Sequence, residues 1–188
     1  DSLAGYAEIF QRNVMASGVI PQISIIMGPC AGGAVYSPAM TDFIFMVRDT
    51  SYMYVTGPDV VKTVTHESVT HEELGGAVTH STRSGVADGI FDNDVETLMG
   101  VRRFVDFLPG NNREKAPNRD SEDSVERVEK SLDRLVPNSP NTPYDMKELI
   151  LKIVDERDFF ELQPDHAGNI VIGLARMGGG TIGLVANQ

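Results

Sequence analysis

The run PQISIIMGPCAGGAVYSPAM, residues 21–40, decides the fold. Its opening part, Pro21–Met27, is almost continuously apolar and rich in isoleucine, the composition of a strand covered on both faces in a layered α/β protein. Gly28-Pro29 breaks that strand. Ala31–Met40 is small-residued and helical from Gly32 onward, and Phe43–Val47 reads as a second buried strand. Strand, glycine turn, helix, strand is the repeating order of an α/β layer.

Upstream, Tyr6, Ile9, Phe10 and Val14 recur at helical spacing, so Ser2–Ala16 is predicted as an amphipathic helix ended by Gly18. Downstream, Ser51–Val55 is β-rich. Gly57-Pro58 opens a helix with Asp59 in its first turn and Val60, Val61 and Val64 on one face. Gly75-Gly76 and Gly85 punctuate what reads as a loop. A helix over about Asn93–Leu108, apolar at Val95, Leu98, Met99, Val101, Val105 and Leu108, closes at Pro109-Gly110, which marks a domain boundary after residue 109.

Residues 110–143 carry Pro117, Pro137, Pro140 and Pro143 around a short helix near Ser121–Leu135, the pattern of a connector. A new domain opens at residue 144. Its first helix is expected over Met146–Phe160, with Met146, Leu149, Ile150, Ile153 and Val154 on one stripe. Asn169–Asn187 then forms two strands joined at Gly178-Gly179-Gly180. This division predicts a loosely packed connector and few apolar contacts between the C-terminal segment and residues 1–109.

With 188 residues and 41% apolar content, the chain can hold one domain or one domain and part of another. It starts at Asp1 without a methionine and ends directly after a strand, which reads as an internal fragment. A net charge of −11 argues against a nucleic-acid partner, since binding a polyphosphate rests on Lys and Arg. Between Asp59 and Glu96 the acidic residues face only Lys62 and Arg83, the pattern of a solvated surface. No run of about eighteen apolar residues and no basic leader occurs, so no membrane association is expected. Cys30 stands alone, and the four histidines lack metal-ligand spacing, so no metal is expected and a reducing compartment is.

The stretch that calls for chemistry is Gly28-Pro-Cys-Ala-Gly-Gly-Ala34. Small residues there let a ligand approach the backbone, and amides at a helix start lack intrahelical acceptors, so they can stabilise an anion or a developing oxyanion. The alternative is that Gly32 and Gly33 only permit tight helix-to-strand packing. No Gly-Lys-Ser/Thr follows, and Gly-x-Ser-x-Gly is absent, which disfavours phosphate transfer and serine hydrolysis. Other polar groups have plainer readings: Cys30 as a small buried thiol, and His66, His71 and His80 as surface or locally bonded side chains. Glu72-Glu73, Asp92 and Asp94 read as helix-start or solvated acids. Tyr36, beside the glycines, is either a substrate contact or a packing ring.

Five stretches also resemble a known family: Gly18–Asp42, Tyr54–Lys62 (YVTGPDVVK), Glu72–Ala77 (EELGGA), Ser84–Ala87 (SGVA) and Asp155–Glu161 (DERDFFE). In order and spacing they resemble the carboxyltransferase (β) subunits of biotin-dependent acyl-CoA carboxylases, and the GPCAGGAVYSP run is more similar to the propionyl branch than to the methylcrotonyl branch. The resemblance implies an α/β fold of crotonase/ClpP-like ββα superhelices, with the end of a first crotonase-like domain and the start of a second. It implies carboxyl transfer from carboxybiotin to the α-carbon of propionyl-CoA, giving methylmalonyl-CoA. The enolate would be held by the backbone amides of Gly32 and Gly33, with Ala31, Ala34 and Tyr36 lining the substrate. Biotin would arrive on a biotin carboxylase/biotin carrier α subunit, its ureido group would serve as base, and the β subunits would form a homo-oligomer. Location would be the bacterial cytoplasm or the mitochondrial matrix. The biotin-side donors and the partner protomer's share of the cavity are expected outside these residues, so the piece alone is expected to be inactive. Alternatives are a transcarboxylase or decarboxylase subunit on the same fold, or a non-catalytic scaffold fragment.

Overall fold

The computed structural model describes residues 2–139 and 141–188; Asp1, and Pro140 among the connector prolines, lie outside them. Helix α1 (Ser2–Ala16) is followed by β1 (Ile23–Ile26) and a short β2 (Pro29–Ala31). A 3-10 turn, Gly32–Val35, runs directly into α2 (Tyr36–Ala39), and β3 (Phe43–Val47) and β4 (Tyr52–Tyr54) come next. Helices α3 (Pro58–Thr65), α4 (His71–Gly75) and α5 (Ala77–Thr79), a π turn (His80–Ser84), β5 (Gly89–Phe91) and α6 (Asp94–Val105) complete this part.

Strand β3 organises the core because it is covered on both sides, as its unbroken apolar sequence demands. It lies between β1 and β5 in a parallel sheet of order β1-β3-β5, with Ile25 opposite Phe45 and Phe45 opposite Gly89. The period of two along a strand sends alternate side chains to opposite faces. Ile44 and Met46 enter a cluster with Ile26, Val35, Met53, Ala77 and Ala87, while Phe43 and Phe45 meet Val101, Phe104 and Phe107. A separate parallel pair, β2 with β4, carries the glycine turn.

The rest of the chain contains α7 (Leu132–Leu135), α8 (Met146–Ile153), β6 (Phe159–Leu162), β7 (Ile170–Met177) and β8 (Gly180–Asn187). Strands β6-β7-β8 form an antiparallel sheet whose apolar face packs on Ile150 of α8 and on Val154. Gly178 and Gly179 turn the β7–β8 hairpin with φ of +58° and +80°, which residues with a Cβ resist. The buried Asp155 carboxylate accepts both turn amides, at 3.2 and 2.7 Å, and so ties hairpin to helix.

Several expectations need correction. The stretch read as a loop around Gly75-Gly76 is helical: Thr70 and Glu73 form a reciprocal capping box that starts α4, and Ser/Thr-rich composition concealed the turns that follow. The helix expected over Met146–Phe160 stops at Ile153, where Val154 turns extended; Glu156 and Arg157 then adopt positive φ, and Phe159-Phe160 begin β6 instead. The valines of α3 do share a face, but Val60 and Val64 are exposed. Helix α6, capped by Asn93, buries Thr97, Val101 and Phe104, leaving Val95, Leu98, Met99 and Val105 outside. Near Ser121–Leu135 only Leu132–Leu135 is helical.

The expectation of few apolar contacts between the C-terminal segment and residues 1–109 also fails. Phe160 of β6 inserts among Phe104, Phe45 and Phe107 at centroid distances of 5.2, 6.2 and 6.4 Å, and is 7% exposed. Around it, Arg103 lies over the Phe160 ring and bridges to Asp158, and Arg176 lies 4.2 Å over the Phe107 ring and donates to the Asp106 carbonyl. The connector joins through Arg119, which pairs with Asp106. An aromatic core with a charged rim fuses the two parts, and proline spacing carries no signal of it.

Candidate active site

The candidate residues lie on one continuous path from β2 into α2. Ala31 of β2 pairs with Tyr54 of β4. Gly32 follows that pair directly, at the end of the ladder. Gly32 has φ +64°, and a Cβ there would lie 3.9 Å from the Val55 carbonyl. The backbone conformation, not lack of room, keeps this position a glycine. Gly33 is the next residue of the 3-10 turn, and its carbonyl accepts the Tyr36 N–H. A Cβ at Gly33 would touch only the Tyr6 ring of α1, at 3.8 Å.

The sequence thus gives two neighbouring glycines different work. Gly32 makes the left-handed step that ends the strand, and Gly33 stands where the first amides of a helical turn have no acceptor within it. Ala31 is exposed and Ala34 half-buried. Ala34 is held from below by Cys30, whose Sγ lies 3.5 Å from the Ala34 carbonyl. Burial pushes the Cys30 thiol up, opposite to what a nucleophilic cysteine requires. Tyr36 is 47% exposed, with its ring edge against Phe10 of α1, so it borders the turn and also packs.

The other polar candidates lie apart from this path. Asp92 pairs with Arg48 at 3.0 Å, and Asp94 sits in the first turn of α6. Glu73 belongs to the capping box, whose Thr70 amide and hydroxyl hold its carboxyl below the usual range. Glu72 accepts the Val78 N–H at 3.1 Å, while its Oε2 is buried without a partner. His66 ends α3 in the left-handed conformation, and His71 Nδ1 meets the Tyr54 hydroxyl at 2.6 Å. His80 behaves differently. It reaches the Met53 carbonyl of β4 at 2.7 Å, directly behind the glycine turn. A histidine inside a Ser/Thr-rich stretch gives no sequence signal of that contact.

Among the described residues no group of three or more His, Cys, Asp or Glu is placed to hold a metal ion, and no helix is long and apolar enough to cross a membrane. The chain matches the carboxyl transferase domain family over residues 1–188. It is 72% identical over 187 residues to the propionyl-CoA carboxylase beta chain of Cereibacter sphaeroides, covering 100% of this chain and 37% of that one. It is 59% identical over 188 residues to the human mitochondrial propionyl-CoA carboxylase beta chain, covering 100% and 35% respectively. Its fold superposes on the 12S subunit of a transcarboxylase, solved as a hexamer assembly with hydrolysed methylmalonyl-coenzyme A bound, with a TM-score of 0.95 and 44% identity over 100% of this chain and 36% of that chain. The chain therefore spans about a third of the length of these relatives.

Proposed function

This chain belongs to the carboxyl transferase domain family, and from that premise we propose that it holds the enolate-stabilising turn of a propionyl-CoA carboxylase carboxyltransferase. In this reading residues 1–109 are the later part of one crotonase-like domain, 110–143 a connector, and 144–188 the opening of a second. The reaction moves a carboxyl group from carboxybiotin to the α-carbon of propionyl-CoA. Biotin, carried by a biotin carboxylase/biotin carrier α subunit, supplies the carboxyl group and a ureido base when docked. The β subunits work as a homo-oligomer, in the bacterial cytoplasm or the mitochondrial matrix.

The observation that carries the reading is the turn itself, a left-handed glycine followed by a glycine at the start of a helical turn, with small neighbours on both sides. When the α-carbon of the acyl group loses its proton, negative charge develops on the thioester oxygen. A fixed amide aimed at that oxygen lowers the barrier without reorganising, and one such donor is worth about 3 kcal/mol. Gly32 and Gly33 are the backbone donors, and the left-handed step at Gly32 sets where their amides lie. Ala31 and Ala34 keep the approach open, and Tyr36 borders the acyl end. Burial raises the Cys30 thiol, against a nucleophilic role for it, and in this reading the base belongs to the docked biotin.

The test is carboxylation of propionyl-CoA by an assembled carboxylase carrying this sequence in its carboxyltransferase subunit, followed as ATP-dependent incorporation of labelled bicarbonate. Incorporation that requires both the biotinylated partner and ATP is the expected result. Carboxyl exchange between acyl-CoA and a keto acid without ATP would assign the chain to transcarboxylation instead.

A further inference from the structure

We infer that His80 is a positioning residue for the glycine turn, acting through strand β4. The inference rests on the carboxyltransferase reading of that turn. Tyr52 donates its N–H to the Gly28 carbonyl, so the backbone of Tyr52 and of Tyr54 faces β2, and the alternation along a strand turns the Met53 carbonyl the opposite way. Met53 is 4% exposed, and its carbonyl lies against α4: a Cβ at Gly75 would come within 2.1 Å of it. Water has little access to that oxygen, so it needs a protein donor. His80 Nε2 provides one at 2.7 Å. Because a carbonyl only accepts, Nε2 carries the hydrogen, and Nδ1 lies 2.8 Å from the Ser84 hydroxyl.

The local backbone is built to bring this about. His80–Ser84 is a π turn, an irregularity of helices that concentrates at functional sites, and it ends at Gly85 with φ +65°. The His80 N–H bonds to the Gly76 carbonyl and its own carbonyl accepts the Ala87 N–H, so the ring is anchored from both sides of its backbone. Strand β4 is thereby clamped between the ring and β2. Its Tyr54 and the following Val55 form the wall against which Gly32 turns. Loosening the clamp shifts the Gly33 amide without touching any atom that binds substrate, and misplacement of about 1 Å costs up to about 100-fold in rate.

The experiment compares His80→Ala, His80→Gln and His80→Asn in the assembled carboxylase, with steady-state kinetics and amide hydrogen exchange over residues 29–35. Glutamine places an amide N–H where Nε2 lies, and asparagine places one where Nδ1 lies. The alanine variant should lose about 10- to 100-fold in kcat with KM for propionyl-CoA changed by less than about threefold. It should also speed exchange over residues 29–35. Glutamine should restore both readouts, and asparagine neither. Wild-type kcat in the alanine variant, equal behaviour of glutamine and asparagine, or unchanged exchange would overturn the assignment. If alanine prevents assembly, the glutamine-to-asparagine comparison decides alone. If the unmodified assembly fixes no carboxylate, the functional reading falls, and the exchange arm still decides whether His80 holds the turn.

Discussion

The glycine turn and the aromatic junction are opposite ways of making a rigid region. At the turn, Gly28–Ala34, the side chains are nearly absent, and geometry comes from a strand ladder, a left-handed glycine and a short helical turn. At the junction the backbone is ordinary and large side chains do the work: Phe160 among Phe45, Phe104 and Phe107, rimmed by Arg103, Arg176, Asp106 and Asp158. A backbone site keeps its donors fixed and leaves room for a ligand, whereas a side-chain site fills its room and holds two parts together. Substitutions should therefore separate them, with catalysis lost at one and stability at the other.

The largest effect is expected at the junction. Phe160→Ala removes a ring that is 7% exposed and should cost about 3–5 kcal/mol of stability, read as a lowered urea midpoint of the subunit. A cost below about 1 kcal/mol would mean that the two parts are held by other contacts. The Arg103–Asp158 pair of the rim should matter less than the ring, because those side chains are 50% and 31% exposed, and surface ion pairs contribute little.

Gly33→Val comes next. A Cβ there would meet only the Tyr6 ring at 3.8 Å, so folding should survive, while the added methyls crowd the approach to the amide. Turnover of the assembled enzyme should fall by about 100-fold or more, with KM for acyl-CoA little changed. Equal turnover in a correctly assembled variant would make Gly33 a packing residue.

Gly32→Ala should act by another route. The position has φ +64°, which costs a residue with a Cβ about 1–2 kcal/mol, so stability and turnover should fall together and modestly. Loss of turnover without loss of stability would mean that the added methyl obstructs the site and that the backbone conformation is not what it changes.

The smallest effect is a pH slope at Asp88, whose carboxyl accepts the Ile44 N–H of β3 while burial pushes its pKa above the ordinary 3.8. A carboxyl raised in the folded state contributes stability that is full below that ordinary value and is lost as pH rises through the folded one. Asp88→Asn should therefore gain on wild type as pH climbs from acid toward neutrality, measured as the difference in melting temperature. A difference independent of pH would show that Asp88 ionises freely.

How much of this was legible in the sequence follows the same contrast. Helix α1, strands β1 and β3, the start of α6 and the glycine hairpin of β7 and β8 stand where periodicity and Gly/Pro punctuation put them, since those signals are local. Strand β2 was missed because three residues beginning with proline carry no period, although that strand aims the turn. The π turn and His80 were missed because the contact with Met53 spans 27 positions and nothing in HSTRS announces it. Phe160 was misread as the end of a helix: its spacing suits either element, and what decides is the extended Val154 followed by positive φ at Glu156 and Arg157. The glycine pair is visible in the sequence, but the positive φ that separates Gly32 from Gly33 is a property of the fold.

The most direct test of the central claim is the position of the thioester oxygen. In a structure of the assembled enzyme with an unreactive propionyl-CoA analogue, that oxygen should lie about 2.7–3.1 Å from the Gly33 nitrogen, with the α-carbon open toward the biotin side. An oxygen held by donors elsewhere, with the Gly33 amide bonded inside its own turn, would contradict it.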